Sequence, residues 1–477
     1  MRVRTFSKNG TLAVVCLATA MLMLDIAVVN TALSDIARDL HTGLSGLQWV
    51  VDAYTLALAT VVLTAGSLSD RLGRKRIFAW GMGLFTISSL ACALAGDIAV
   101  LDAARAVQGI GAAMLFASSL AILVDAFTAP AERAKAFAFY GATIGASFAV
   151  GPLVGGALTS LFDWRAVFFV NLPLGALGLG ATLVWLRESR DPSPRRVDWA
   201  GQATLTAGSF LLVLALLRGN DDGWGSPLIV AEFAAAAALL VGFVLVEARS
   251  RVPMLPLALF RNRTFAAAQI AAFAISASFF AVFFYLTLYL QQVLGLSPIE
   301  AGLVYLPGTV LVFVVSGASA QLTTRVAPTV LVVVGLALVA GGLVLSTLAD
   351  ASSSWVALMP GELVLCFGTG LFNPALVALA LGSTPEHQSG LAAGVNDAFR
   401  QGGIAVGVAA FGALVPATGA LGPASGEAYV SGLHHALLAG AVLAAVGAAA
   451  AAWLLGVRLP VRSRRERTIA QPAADGA

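Results

Sequence analysis

Charge is what this chain has least of. Asp, Glu, Lys and Arg make up 11% of its 477 residues, where soluble domains carry about a quarter. Cysteine is scarce too. Cys16, Cys92 and Cys366 all fall in apolar stretches, so they read as small buried residues and support neither a disulfide framework nor a catalytic thiol. The histidines, His41, His387, His434 and His435, form no ligand spacing, so no metal site is expected. Nucleotide-binding loops are missing, Gly402-Gly403 not being one, which excludes direct coupling to ATP within this chain. With no nucleophile constellation either, neither an enzyme nor a cofactor is expected. The longest polar stretches, near 188–198, near 248–263 and after Arg458, are too short for a soluble domain.

Long apolar runs are what the chain has in place of charge. It is 59% hydrophobic with a mean hydropathy of +0.89, and runs of the roughly 20 residues needed to cross a bilayer recur about fourteen times. They lie near 11–33, 47–69, 78–96, 101–124, 136–158, 165–187, 199–218, 227–247, 264–290, 300–321, 328–348, 355–381, 391–415 and 432–457. These runs are continuous and do not alternate with period two, which predicts an all-α polytopic membrane protein and not a β-barrel. Arg2, Arg4 and Lys8 precede the first run and Ala18-Thr19-Ala20 has the form of a signal cleavage site. The run continues well past Ala20, however, as an uncleaved span would.

Positive charge sets the orientation. With the first span starting in the cytoplasm, 23 of the 28 Lys and Arg residues fall at the cytoplasmic face, three (Arg38, Arg165, Arg218) fall outside, and two (Arg105, Arg400) lie within spans. An even number of spans with both termini cytoplasmic is expected. The net charge of +3 therefore reports topology; the clustered basic face of a nucleic-acid binder is absent.

Asp25 stands inside the first apolar run, and Asn30 follows it five residues later on the same span. A carboxylate there is expensive to bury and marks a functional site. Between the second and third spans, Gly66-Ser67-Leu68-Ser69-Asp70-Arg71-Leu72-Gly73-Arg74-Lys75-Arg76 combines glycines, which permit a tight turn and close helix approach, with an acid among four bases. Such a loop can be purely topogenic, or its ion pairs can hold two helices in one arrangement and release them in another.

That loop resembles, residue by residue, the loop signature of the major facilitator superfamily of secondary transporters. Leu101-Asp102-Ala103-Ala104-Arg105-Ala106-Val107-Gln108-Gly109-Ile110-Gly111 is similar to the family's fourth-helix signature, with Arg105 as its buried arginine, and Gly151-Pro152-Leu153-Val154-Gly155-Gly156 is similar to the fifth-helix motif of its exporters. Ser147 stands where that motif usually has glycine. The Asp25 segment, Asp163-Trp164-Arg165-Ala166-Val167-Phe168-Phe169-Val170-Asn171-Leu172-Pro173, Tyr289-Leu290-Gln291-Gln292-Val293-Leu294-Gly295-Leu296-Ser297-Pro298 and Asn396-Asp397-Ala398-Phe399-Arg400-Gln401-Gly402-Gly403 resemble the fourteen-span drug:proton antiporters. Asp397 occupies a place where that branch more often has Asn.

The resemblance implies two six-helix bundles, 1–198 and 264–477 with its cytoplasmic tail, separated by two inserted helices in 199–263. A worn internal repeat agrees: Gly317-Ala318-Ser319-Ala320-Gln321-Leu322-Thr323-Thr324-Arg325 sits where the second bundle would repeat the Gly66 loop, with Gln321 in place of Asp70. Also implied is a monomeric exporter in a bacterial cytoplasmic membrane that exchanges protons for an antibiotic, drug or lipophilic cation. The alternative is a dedicated exporter of one metabolite, such as an endogenous antibiotic. Asp25 would alternate between neutral and charged forms and attract a cationic substrate in the latter, while the bundles rock about a central site and Asp70, Arg71 and Arg74 bias one state.

Other residues have two readings each. Arg105 either tunes the proton step or braces the fourth helix, and Asp397 with Arg400, three apart on one helix, is either a structural ion pair or a second proton site. Pro152 with Gly151, Gly155 and Gly156 bends the fifth span and allows close packing. Asp52, near the end of the second span, is expected to be solvated, and Glu232 and Glu362 to lie near the outer boundary without a coupling role. Phe279, Phe280, Phe283, Phe284, Tyr285 and Tyr289 could stack on a large apolar cation, several facing lipid because six such residues cannot share one face. Trp49 is expected to anchor at the membrane interface.

Overall fold

The structure is a computed structural model and describes residues 7–191, 197–323, 325–384, 389–415 and 426–456. Arg2, Arg4, Arg195, Arg196, Thr324, His387 and the basic tail from Arg458 lie outside the described residues. No strand occurs among the described residues. A bilayer leaves a chain no water with which to satisfy backbone groups, so each crossing must close its own hydrogen bonds as a helix.

The described residues form fourteen long helices. They are α1 Lys8–Asp39, α2 Leu44–Leu72, α3 Arg74–Ala93, α4 Ile98–Ala126, α5 Pro130–Leu161, α6 Ala166–Trp185, α7 Trp199–Asp222, α8 Pro227–Arg249, α9 Arg263–Val293, α10 Pro298–Leu322, α11 Pro328–Ser346, α12 Met359–Gly382, α13 Ser389–Gly412 and α14 Gly426–Leu455. Thirteen of them are long and apolar enough to cross a membrane. α13 has 24 residues but carries Asn396, Asp397, Arg400 and Gln401, which makes it the polar one. Helix starts use capping side chains: Asp97 accepts from Val100 N, Asp198 from Gly201 N, and Ser297 with Glu300 forms a reciprocal capping box.

Within the first six helices, α4 packs on α2 and α3, and α1 packs on α5 and α6. Among the last six, α11 lies between α12 and α14, α10 packs on α12, and α9 on α13 and α14. The two groups meet where α2 lies along α13 and α5 along α10, while α7 leans on α2 and α13 and α8 pairs with α7. Exposed apolar side chains such as Ile87, Leu177, Val442 and Trp453, each at least 63% exposed, face outward, an arrangement that suits lipid and not water.

One end of the molecule carries Lys8, the α2–α3 loop and Arg133, and is called the basic end below; the far end carries Asp39, Arg165, Ser297 and Asp350. α9 departs from the expectation of a partly lipid-facing aromatic helix. Phe279, Phe283, Phe284, Tyr285 and Tyr289 are all at most 6% exposed, because α9 is enclosed by helices of both groups. It holds two π-helical turns, Ser276–Phe280 and Tyr289–Val293, of the kind that often mark working positions in a helix. Gly403 and Gly407 of α13 pack on the backbone of the first; a Cβ at Gly403 would stand 2.7 Å from Phe273 O.

Candidate functional site

Asp25 sits on α1 with no exposed surface, and four other helices supply its surroundings. The Arg105 guanidinium of α4 donates to Asp25 Oδ2 at 2.6 Å, and the Gln108 and Asn171 amides donate to Oδ1, each at 2.9 Å. Arg105 Nη1 also donates to Gln108 Oε1 at 2.7 Å, and its Nε to the Val50 carbonyl of α2 at 2.9 Å. The Tyr54 ring lies 4.2 Å from the guanidinium carbon, and Gln108 Nε2 donates onward to Ser89 Oγ of α3. A buried pair satisfied in this way is held firmly, whereas removing one partner would strand the other charge. Arg105 therefore both pairs the acid and ties α4 to α2. Gln108 and Asn171 lie in stretches whose resemblance is visible in the sequence, but nothing in the sequence aims them at Asp25. Asn30 donates to the Ile26 carbonyl of its own helix at 3.1 Å, and its Oδ1 is buried without a partner among the described residues.

At the basic end, Arg74 donates to Asp70 Oδ1 at 3.0 Å, one helical turn across the α2–α3 junction. Gly73 makes that junction, with a φ of 116° that side chains rarely adopt. Around it, Lys75 N donates to Glu188, Arg76 pairs with Glu188, Arg74 N donates to Ser189 O, and Asp191 N to Asp70 O. The loop thus docks on the segment leaving α6. Arg71 is exposed and makes no ion pair among the described residues. Gly66, expected to permit close helix approach, has open space, the nearest atom to an added Cβ being Ala117 Cβ at 3.9 Å.

The α5 motif lies at the seam between the two helix groups. A Cβ on Gly155 would stand 2.7 Å from Val28 Cα of α1, and one on Gly156 would stand 2.8 Å from Ile299 Cα of α10. Gly151 sits against Ala27, Pro152 lies inside α5, and Gly302 of α10 packs on the Pro152 carbonyl. Toward the far end the seam is stitched by hydrogen bonds: Gln48 Nε2 to Tyr285 OH at 2.8 Å and to Val408 O at 3.1 Å, Gln291 Nε2 to Thr31 O at 2.8 Å, and Ile299 N to Ser160 Oγ at 3.2 Å.

Two expectations are corrected by this geometry. Asp52 is not solvated; it has no exposed surface, and neither carboxylate oxygen has a hydrogen-bond partner among the described residues, α13 lying along α2. Asp397 and Arg400 form no ion pair among the described residues; both are partly exposed, and the Arg400 guanidinium carbon lies 5.9 Å from the Phe280 ring centre. Trp49 packs on Phe210 of α7, with ring centres 5.7 Å apart, and so helps dock the inserted pair. Glu232 pairs with Arg218 at 2.9 Å. Glu362 lines a cleft walled by Phe148, Phe279, Phe283 and Tyr305.

Comparison with known proteins agrees with this architecture. A profile of the Major Facilitator Superfamily matches residues 15–408. "Multidrug resistance protein Stp" of Mycobacterium tuberculosis is 37% identical over 411 residues, covering 85% of this chain and 76% of that one. "Methylenomycin A resistance protein" of Streptomyces coelicolor is 35% identical, covering 85% and 86%. Among solved structures, a peptide transporter, POT, in complex with sulfate superposes with a TM-score of 0.64 at 16% identity, over 93% of this chain and 95% of that one, a likeness of fold alone.

Proposed function

The chain belongs to the major facilitator superfamily, and we propose that it is a proton-coupled antiporter that exports antibiotics, drugs or lipophilic cations across a bacterial cytoplasmic membrane. Its relatives named for drug and antibiotic resistance support the substrate class. The observation that carries proton coupling is Asp25, a carboxylate within a membrane span whose sole cationic partner, among the described residues, is Arg105. Taking up a proton removes the charge that holds Arg105, which also donates to Gln108 on its own helix and to Val50 O on α2. Proton binding on α1 would thereby loosen the joint between α4 and α2, and α2 borders the opposite helix group through α13.

The working parts are residues 1–198 and 264–477, rocking against each other with 199–263 as a peripheral insertion and both termini cytoplasmic. In that orientation the basic end faces the cytoplasm and the stitched seam is the closed outer gate. Asp70 with Arg74 braces the inner loop, Gly151, Pro152, Gly155 and Gly156 let the gate close, and Asp397 with Arg400 lines the path between the groups. A narrower reading, export of one antibiotic, draws on the methylenomycin A resistance protein, whose name gives a single compound.

The test is ethidium efflux from proteoliposomes under an imposed proton gradient, comparing wild type with Asp25→Asn. Gradient-driven efflux that vanishes in a folded Asp25→Asn variant supports the reading. Efflux indifferent to the gradient, or unchanged in the variant, overturns proton coupling through Asp25. Absence of ethidium movement, with gradient-driven movement of a single antibiotic, would favour the narrower substrate range.

A further inference from the structure

Asp25 is fully engaged by Arg105, Gln108 and Asn171, so it has no free edge with which to hold a cationic substrate in this conformation. Another acid is better placed. Glu362, in the first turn of α12, is 8% exposed and has neither hydrogen-bond nor ion-pair partner among the described residues. The carboxylate reaches the cleft because Gly308 of α10 has no side chain, an added Cβ there standing 2.5 Å from Glu362 Oε1.

Around it are rings. Phe283 and Tyr305 lie 4.3 Å apart between centres, and Phe148 stands 6.5 Å from Phe279 and 6.3 Å from Phe283. The Tyr305 hydroxyl is bonded to Thr287, which leaves the ring as the surface Tyr305 offers. An ionised carboxylate cut off from water is costly without a partner; a cation seated beside it offsets that cost, and aromatic faces add to the attraction. A hard metal ion would want six or more oxygen ligands, whereas Thr309 and Ser346 are the only hydroxyl residues of the lining besides Tyr305. The chemistry fits a large organic cation with delocalised charge.

We propose that this cleft between α5 and helices α9 to α12 is the subsite for the charged centre of a lipophilic cation, with Glu362 as its counter-ion and Phe148, Phe283 and Tyr305 as its aromatic walls. The assignment rests on the export reading above and names the residue that gives it charge preference. The cleft is narrow in this conformation, with room for little more than a water molecule. Its walls come from both helix groups, since Phe148 is on α5 and the rest are on α9 to α12. Parting of the two groups therefore widens the site and removes one aromatic wall, which couples the grip on the cation to the position of the gate.

The experiment is equilibrium binding of tetraphenylphosphonium to the purified full-length chain in lipid nanodiscs, with the isosteric anion tetraphenylborate as control. Wild type is expected to bind the cation and to discriminate against the anion. Glu362→Gln should weaken cation binding at least tenfold with an unchanged melting temperature, and Glu362→Asp should recover part of it. Phe283→Leu, which keeps the volume and removes the ring, should weaken it severalfold and guards against misfolding of the Glu362 variants. Equal binding of cation and anion by wild type, or wild-type affinity in both Glu362→Gln and Phe283→Leu, overturns the assignment. Proton-driven drug efflux is read separately in proteoliposomes. Efflux that persists while cation binding fails sinks this subsite alone, and absence of gradient-driven efflux sinks the export reading.

Discussion

Asp25 and Asp52 are both carboxylates without exposed surface, and their surroundings give them opposite sensitivities. Asp25 accepts from a guanidinium and two amides, so Asp25→Ala or Arg105→Ala leaves an unmatched buried group. Each is expected to destabilise by about 3–5 kcal/mol, visible as a lower melting temperature of the solubilised chain. The double variant Asp25→Asn with Arg105→Gln removes both charges and should recover much of that loss; a double variant as unstable as the sum of the singles would show that the pair is not the unit. Asp52 has no donor or cation at either oxygen among the described residues, so Asp52→Asn exchanges a carboxyl for an amide of the same shape and breaks no hydrogen bond or ion pair. Its stability should stay within about 1 kcal/mol of wild type, and a fall of several degrees would reveal a partner for the carboxylate. The sequence flags Asp25 as costly but is silent on this contrast, because the partners stand on helices 80 to 146 residues away. Spacing also misleads at Asp397 and Arg400: three residues apart puts two side chains on one face, yet a long arginine can turn to another neighbour, here the Phe280 ring.

At the scale of single helices, the membrane makes the sequence legible. Each crossing has to be a continuous apolar helix, so the number and order of spans can be read from runs alone, and the small-residue motifs announce where helices approach closely. What runs cannot convey is which glycine is under constraint. Gly73 holds φ at 116° with Glu188 against its Cα, while Gly66 has open space. Gly73→Ala is therefore expected to destabilise the α2–α3 junction by about 1 kcal/mol or more, and Gly66→Ala to be nearly silent; equal melting temperatures would show that the junction is not strained. The same reasoning applied to α5 singles out Gly156, whose Cβ would meet Ile299 Cα at 2.8 Å. Gly156→Val forces α5 and α10 apart, which by the cost of overpacking should remove about 1–3 kcal/mol and raise thiol labelling at Ser160→Cys. The π turns of α9 have no sequence signal of this kind; the first, Ser276–Phe280, is met by the backbone of α13 at Gly403 and Gly407.

For the molecule as a whole, the question is whether the far-end seam parts during work. Its hydrogen bonds join Gln48 to Tyr285 and Val408, Gln291 to Thr31, and Ile299 to Ser160. At a net value of about 0.5–1.5 kcal/mol each, the four together hold the gate by a few kcal/mol. One elementary charge crossing 100 mV supplies about 2.3 kcal/mol, so the seam is within reach of a proton-driven cycle but is not trivial to open. A covalent staple at that place should therefore stop the cycle. Ser160→Cys with Ile299→Cys, in a background where Cys16, Cys92 and Cys366 are replaced by Ala, puts two thiols where a backbone amide now donates to a side-chain oxygen at 3.2 Å. Oxidation should cross-link α5 to α10 and abolish gradient-driven ethidium efflux, and dithiothreitol should restore it. Ethidium should still reach the cross-linked protein from the basic end, since that face is not stapled. Efflux that continues at the wild-type rate in fully cross-linked protein would mean that α5 and α10 stay together throughout transport, and the outer gate would then have to be sought along α2 and α13.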